Sequence, residues 1–304
     1  MEFSKILKNV FFFILILQFA PVVLSTIKRS ALDILEPRTK VAVITIKNVL
    51  MDSSSYITHL NTYFRDKSIK AILIKMECPG GAAGTANAIH DQIKALKAEF
   101  PKPVICLVEN ICASGGYYIA STSDAIIAPA TALIGSIGAT FPYAFQLKDL
   151  MEKWDIGYVP LKSGTYKNAA NPFVAMTPEE QALLQGILDD SYRQFSSDVA
   201  ANRHLSMRDV NNWGNGKIFT ASQAHALGLI DVLGSAYAAE KIVREKALIE
   251  GKIEWIKPPA QSPLSYLLGG RTPEEDQGMD SDDMATKVGQ ACASRLLSFV
   301  GLPG

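Results

Sequence analysis

From Lys40 onward the apolar positions change period repeatedly. Val41–Ile46 (VAVITI) is a β-branched run and predicts a strand. Tyr56, Ile57, Leu60 and Phe64 then recur at helical spacing. Ile69–Met76 (IKAILIKM) predicts a second strand. Ala83–Leu96 predicts a helix with Ala86, Ile89, Ile93 and Leu96 on one face, and Val104–Val108 a third strand ending near Glu109. A helix is expected to begin at Ser114, and Ala125–Ala128 (AIIA) reads as a short strand. Strands that are apolar throughout and alternate with helices imply an α/β fold, a mainly parallel sheet with flanking helices on both faces. Further on, Thr177-Pro178-Glu179-Glu180 is a capping box with Pro in the first turn. It opens a long helix with Leu184, Leu188, Tyr192, Phe195 and Val199 along one stripe. A shorter helix over Ala221–Leu227 meets Gly228, in place for a C-cap.

The two ends read differently from this body. Lys5 and Lys8 precede an apolar run, Val10–Leu24, the pattern of an export signal. Its 15 residues reach only about 22 Å as a helix, short of the roughly 30 Å of a bilayer core. Val23-Leu24-Ser25 offers a cleavage site, whereas Lys28 and Arg29 could snorkel at an interface, so a cleaved signal peptide and a retained N-terminal membrane anchor both stand. In either case the rest of the chain is expected beyond the membrane. Past Pro258, Pro259 and Pro263 stiffen a linker, and Glu274, Glu275, Asp276, Asp280, Asp282 and Asp283 make an acidic segment expected to be flexible. The expected organisation is therefore 1–29 as signal or anchor, 38–257 as the folded domain and 258–304 as linker and tail.

Composition narrows the function. Of the 304 residues 48% are hydrophobic and 20% charged, a globular balance. The 30 basic side chains cancel the 30 acidic ones, so there is no cationic excess to draw nucleic acid. Cys78, Cys106, Cys112 and Cys292 form no CxxC pair, so no zinc or thioredoxin-like site is expected. The first three sit in or beside apolar runs and read as buried free thiols.

Two stretches carry candidate chemistry. Cys112-Ala113-Ser114-Gly115-Gly116-Tyr117-Tyr118 puts a serine where a strand gives way to a helix, with the first helical amides aimed at the same space. That suits a nucleophile whose attack leaves an oxyanion, and it equally suits an ordinary N-cap serine. Cys78-Pro79-Gly80-Gly81 follows the second strand, and adjacent glycines let backbone amides approach a ligand. Both turns fall at C-terminal strand ends, where parallel α/β sheets bind ligands. A serine nucleophile needs a base. His59 and His90 lie on predicted helices away from strand ends, and neither His204 nor His225 is placed for the role. A desolvated lysine is the other option, and spacing does not separate Lys167 from Lys162.

Taken in order, CPGG at 78–81, ASGGYY at 113–118, GSIG at 135–138, SGTYK at 163–167 followed by Asn171-Pro172, and GLIDVLG at 228–234 resemble the signal peptide peptidase A family, peptidase family S49, in its short single-domain form. The resemblance covers roughly residues 40–245 and implies the crotonase/Clp-protease-like fold. It implies Ser114 as nucleophile, Lys167 as general base, Ser136 as the hydroxyl that holds the lysine amine, and Gly81 with Gly115 at an oxyanion hole. It also implies a Ser/Lys-dyad endopeptidase acting on hydrophobic peptides such as cleaved signal peptides, with neither metal nor cofactor. A homo-oligomeric ring is implied, in which Lys167 of one subunit serves Ser114 of the next. One departure is Cys78, where many relatives carry a small hydroxyl residue; backbone amides would still supply the oxyanion contacts, so little effect on activity is expected. Two other readings stand beside this one: a crotonase-type acyl-CoA enzyme or binder, disfavoured by the export signal, and an inactive membrane-anchored scaffold, disfavoured by the presence of Ser114, Lys167 and Ser136 together.

Overall fold

The computed structural model describes residues 37–141 and 145–258, with 13, 18 and 19 as isolated positions. Apart from those three positions, the apolar run at 10–24 lies outside the described residues, as does the acidic segment beyond 258. Among the described residues no helix is long and apolar enough to cross a membrane.

The body begins with β1 (Arg38–Lys47), α1 (Ser54–Arg65), β2 (Ile69–Cys78), α2 (Ala83–Glu99) and β3 (Val104–Ala113). Next come α3 (Gly115–Ala120), β4 (Ala125–Ala128), β5 (Leu133–Gly135), α4 (Lys148–Lys153) and α5 (Pro178–Arg203). A single 3-10 turn leads into α6 (Val210–Trp213), followed by β6 (Ile218–Thr220), α7 (Ala221–Ala226), β7 (Val232–Leu233), α8 (Ala236–Lys246) and β8 (Lys252–Ile256). The strands form one sheet in the order β6-β5-β3-β2-β1-β8, with β4 paired to β3 and β7 to β4. Every pairing is parallel except β5 with β6. This is the α/β, mainly parallel sheet with flanking helices that the alternating pattern predicts.

Side-chain alternation sends the strands' apolar residues to two cores. On one face Ile44, Ile46, Ile72, Ile74, Met76 and Cys106 pack with Leu60, Phe64, Ile89, Ile93, Tyr117 and Val199 from the helices. On the other, Val41, Val43, Leu73, Ile105 and Ile127 pack beneath Ala239 and Val243 of α8. The second core reaches only part-way along the strands. Toward their C-terminal ends Lys47 meets Glu77 at 2.9 Å and Glu109 at 3.4 Å, and Lys75 meets Glu109 at 3.2 Å.

That charged floor explains why the apolar pattern stops β3 too early. Glu109 and Asn110 end the apolar run, yet β3 continues to Ala113 because both side chains are engaged on the sheet surface, Asn110 Nδ2 donating to Glu77 Oε1 at 2.7 Å. The β2–β3 register shifts between Met76 and Cys78, so that Cys78 then faces Cys112. The far edge of β3 is shared: Ile105–Leu107 pairs with β4, and Ile111–Ala113 with β5. The extension carries β3 past β4 to reach β5, and this positions the site.

Thr177 Oγ1 accepts from the Glu180 N–H and Glu180 Oε2 accepts from the Thr177 N–H, both at 3.1 Å, completing the capping box at the start of α5. Gly228 follows α7 with φ +76°, the left-handed conformation that suits glycine after a helix. Cys78, Cys106 and Cys112 are buried free thiols, and Cys292 lies outside the described residues.

Candidate active site

Three chain segments meet where β2, β3 and β5 end. Ser114 sits between β3 and α3 with φ 52° and ψ −127°, a conformation costly for a residue with a side chain. Its position is that of an N-cap, yet its hydroxyl makes no capping hydrogen bond. The ordinary cap role is therefore set aside: the backbone is strained and the hydroxyl is left over. Ser114 N–H donates to the Gly135 carbonyl at 2.8 Å, which pins the turn to the end of β5. Ser136 comes next, also with φ 52°, its own N–H donating to the Lys217 carbonyl at 2.7 Å. Because Ala113 and Gly135 are register partners, Ser114 and Ser136 leave neighbouring strand ends together.

The glycine turn closes over the same spot. A Cβ placed on Gly80, which has φ +111°, would lie 2.6 Å from Ser114 Cβ and 2.9 Å from Ser114 Oγ. A Cβ on Gly81 would lie 2.1 Å from the Leu50 carbonyl oxygen. Leu50 is the clamp that holds this turn: its N–H donates to Gly80 O and its carbonyl accepts from Ala82 N–H, each at 2.8 Å. Gly115 turns toward Gly81 so closely that a Cβ on it would lie 3.7 Å from the Gly81 nitrogen. Among the described residues neither the Gly81 nor the Gly115 N–H finds an acceptor. Two unpaired amides beside a strained serine at a helix N-terminus are the parts of an oxyanion hole.

Ser114, Ser136, Gly81 and Gly115 are thus brought together. Lys167 makes no hydrogen bond or ion pair with them. It lies in the exposed turns between α4 and α5, its N–H bonded to Gly164 O at 3.2 Å, and its amine makes no hydrogen bond or ion pair among the described residues. Lys162, which spacing could not separate from it, is committed elsewhere. Its Nζ donates to Thr165 O at 2.9 Å and lies 3.8 Å from Glu180 Oε1, the carboxylate of the capping box. Lys162 thus braces the turn that presents Lys167.

The histidines are engaged elsewhere, His59 stacking on Tyr63 with ring centroids 6.1 Å apart. His90 is buried, its ring stacked 4.2 Å from that of Tyr118. Asn202 Nδ2 donates to its Nε2 at 3.1 Å, which leaves Nδ1 as the protonated nitrogen donating to Asp91 Oδ1 at 2.8 Å. His204 caps the end of α5 and His225 lies in the last turn of α7. No group of His, Cys, Asp and Glu side chains among the described residues is arranged to hold a metal ion.

The family description "Peptidase family S49" matches residues 97–250, half the chain. The chain belongs to peptidase family S49. The S49 match contains Ser114, Ser136 and Lys167, whereas Gly81 lies before it. A Synechocystis protein named as a candidate protease is 38% identical over 170 residues, 56% of this chain and 60% of its own length. A candidate signal peptide peptidase SppA of Enterococcus faecium is 28% identical over 221 residues, 72% of this chain and 64% of that one. The chloroplastic serine protease SPPA of Arabidopsis thaliana is 31% identical over 194 residues, 64% of this chain and 28% of its own. The chain therefore spans less than two thirds of the length of these relatives.

The S49 motif GLIDVLG is structural in this chain. Asp231 accepts from Ile126 N–H at 2.7 Å and pairs with Arg203 at 2.8 Å, fastening β4 and α5 to the loop before β7. The Leu50 clamp escapes the sequence motifs, and CPGG contains Cys78 without announcing its bond, in which Sγ accepts from Gly80 N–H at 3.4 Å. Leu50 reads simply as the residue after a strand, and nothing in its own type announces the clamp.

Proposed function

We propose that this chain is a serine endopeptidase in which Ser114 attacks the peptide carbonyl, the Gly81 and Gly115 amides receive the oxyanion, and Lys167 is the general base, held by the Ser136 hydroxyl. The observation that carries the proposal is the strained Ser114, whose hydroxyl caps nothing and which sits beside the unpaired Gly115 amide and the Gly80-Gly81 turn. Lys167 takes the Ser114 proton and returns it to the leaving amine; water then releases the acyl group from Ser114.

The lysine comes from a second copy of the chain in this reading. A lysine must be neutral to accept a proton, and desolvation favours the neutral form, yet Lys167 is exposed. It lies in a segment whose apolar side chains also face water: Trp154 is 69% exposed, Val159 81% and Leu161 93%, with Ile156, Tyr158 and Tyr166 nearby. A surface so apolar calls for a covering, and a neighbouring copy would cover it, desolvate Lys167 and bring it to Ser114. The occupant fits a homo-oligomeric ring.

The substrate class is an apolar peptide. Val49 and Met51, on either side of the Leu50 clamp, are 59% and 72% exposed beside the Gly80-Gly81 turn, an apolar approach to the hole. Membrane-derived peptides such as spent signal peptides suit that surface. Such substrates agree with an exported domain tethered or delivered by the N-terminal run. The body at 38–257 is then the peptidase and 258–304 an appended tail.

The test is hydrolysis of a fluorogenic apolar peptide by the full chain in detergent, beside Ser114→Ala and Lys167→Ala. Cleavage by wild type alone supports the dyad. Cleavage by folded Ser114→Ala at the wild-type rate removes it, and inactivity of all three at high protein concentration favours the inactive scaffold.

A further inference from the structure

We infer that Cys78 is a positioning residue for the oxyanion turn, holding Gly80 so that the Gly81 N–H faces Ser114. The inference rests on the reading of Gly81 and Ser114 given above. Cys78 is the last residue of β2 and has no exposed surface. Its sulfur meets the residue two positions on from both sides: Sγ accepts from Gly80 N–H at 3.4 Å, and the thiol donates to Gly80 O at 3.6 Å. A side chain bonding the backbone two residues on is the way serine and threonine close a turn, and here a thiol does it. Burial pushes the Cys78 thiol above its ordinary range, so it stays protonated and keeps both roles.

Gly80 is where such a bond matters. Its φ of +111° is the left-handed side that chains rarely hold without help, and its α-carbon abuts Ser114. Gly80 O also accepts from Leu50 N–H at 2.8 Å. The plane of the Gly80–Gly81 peptide is therefore held at its oxygen by Leu50 and the thiol together, and that plane sets where the Gly81 N–H points. On its other side Cys78 fills the gap to the nucleophile's helix: a Cβ on Gly116 would lie 2.7 Å from Cys78 O and 3.3 Å from its Sγ. One side chain thus spans the oxyanion turn and α3. It touches no substrate, so its effect passes through Gly80.

The experiment compares Cys78→Ala, Cys78→Ser and wild type in the full chain. It measures kcat and KM on the apolar peptide, the rate at which a fluorophosphonate labels Ser114, and thermal unfolding, with Ser114→Ala as control. Cys78→Ala is expected to lower kcat and the labelling rate by about 3- to 10-fold, the worth of one weak hydrogen bond, with KM within about 2-fold. Cys78→Ser, which restores a side-chain donor and acceptor, is expected to recover both rates whatever it does to the melting temperature. Wild-type rates in Cys78→Ala overturn the inference, and so do equal losses in Ala and Ser, which would mark the sulfur as mere filling. Cleavage by Ser114→Ala at the wild-type rate is distinct from these: it fells the parent reading and this one with it.

Discussion

Tyr118 Oη donates to Asp198 Oδ2 at 2.5 Å and accepts from Asn87 Nδ2 at 3.1 Å, so one phenol joins α2, α3 and α5. The Tyr118 N–H in turn donates to the Ser114 carbonyl at 2.9 Å. The short helix that follows Ser114 is therefore fastened to the inner half of α5, whose outer half continues from the segment that carries Lys167. Removing the hydroxyl while keeping the ring should show what this fastening is worth. Tyr118→Phe retains the stack on His90 and the contact with Phe195 but leaves a carboxylate and an amide short of a partner. The expected loss is about 1–2 kcal/mol, read as a lower urea midpoint at unchanged m. An unchanged midpoint would mean that water replaces the phenol at no cost.

His90 supplies a pH dependence. Its value is lowered from an ordinary 6.5 chiefly by burial, which outweighs the nearby Asp91 and Asp198; Lys94 adds to the lowering. A second proton on Nε2 would also face the Asn202 amide, a donor against a donor. Below 6.5 the unfolded chain binds this proton while the folded chain resists it, so stability falls as pH falls and is restored as pH rises through that window. Urea unfolding at about pH 7.5 and about pH 5.5 should show the drop in wild type and a flatter profile in His90→Gln. Equal slopes in the two proteins would assign the dependence to other groups.

Much of this was legible in the sequence, for reasons that differ by region. The apolar runs of β1, β2 and β4 and the helical spacing of α1, α2 and α5 place their elements because burial on a parallel sheet leaves few alternatives for Ile44, Ile74 or Ile127. The apolar pattern stops β3 early because Glu109 and Asn110 look like an ending until Lys47, Lys75 and Glu77 are seen opposite them. Ser114 was legible as a turn residue but not as a strained one, since its φ depends on Gly135, far along the chain. The separation of Lys167 from Lys162 was invisible to spacing, because what occupies Lys162 is the carbonyl of Thr165 and the carboxylate of Glu180. The Cys78 thiol bond likewise depends on how Gly80 turns, which residue type alone does not report.

The two glycines at 81 and 84 make a sharp contrast. Gly81 has no room, since a Cβ would lie 2.1 Å from Leu50 O and 2.5 Å from Leu50 N. Gly84 stands in the first turn of α2 with nothing within 4 Å. Gly81→Ala is expected to abolish measurable peptide cleavage and lower the melting temperature, because either the Leu50 clamp or the amide direction must give way. Gly84→Ala is expected to leave activity intact and to raise stability by about 0.5–1 kcal/mol through lost freedom in the unfolded chain. Full activity in Gly81→Ala would move the oxyanion hole away from this turn.

The division of labour between copies predicts complementation. Ser114→Ala keeps Lys167 and an intact apolar segment, and Lys167→Ala keeps Ser114 with its two amides. Each alone should be inactive. If the base crosses from one copy to the next, subunits of the two variants mixed by co-expression should regain activity, because a copy with Ser114 can sit beside a copy with Lys167. For an equal mixture assembled at random in a closed ring, about a quarter of the sites are competent. Activity near that fraction, falling steeply on dilution, is the expected result. A base acting within its own copy gives no competent site in any mixture, so a mixture as inactive as its parents, with assembly verified by sedimentation, would return Lys167 to the Ser114 of its own chain.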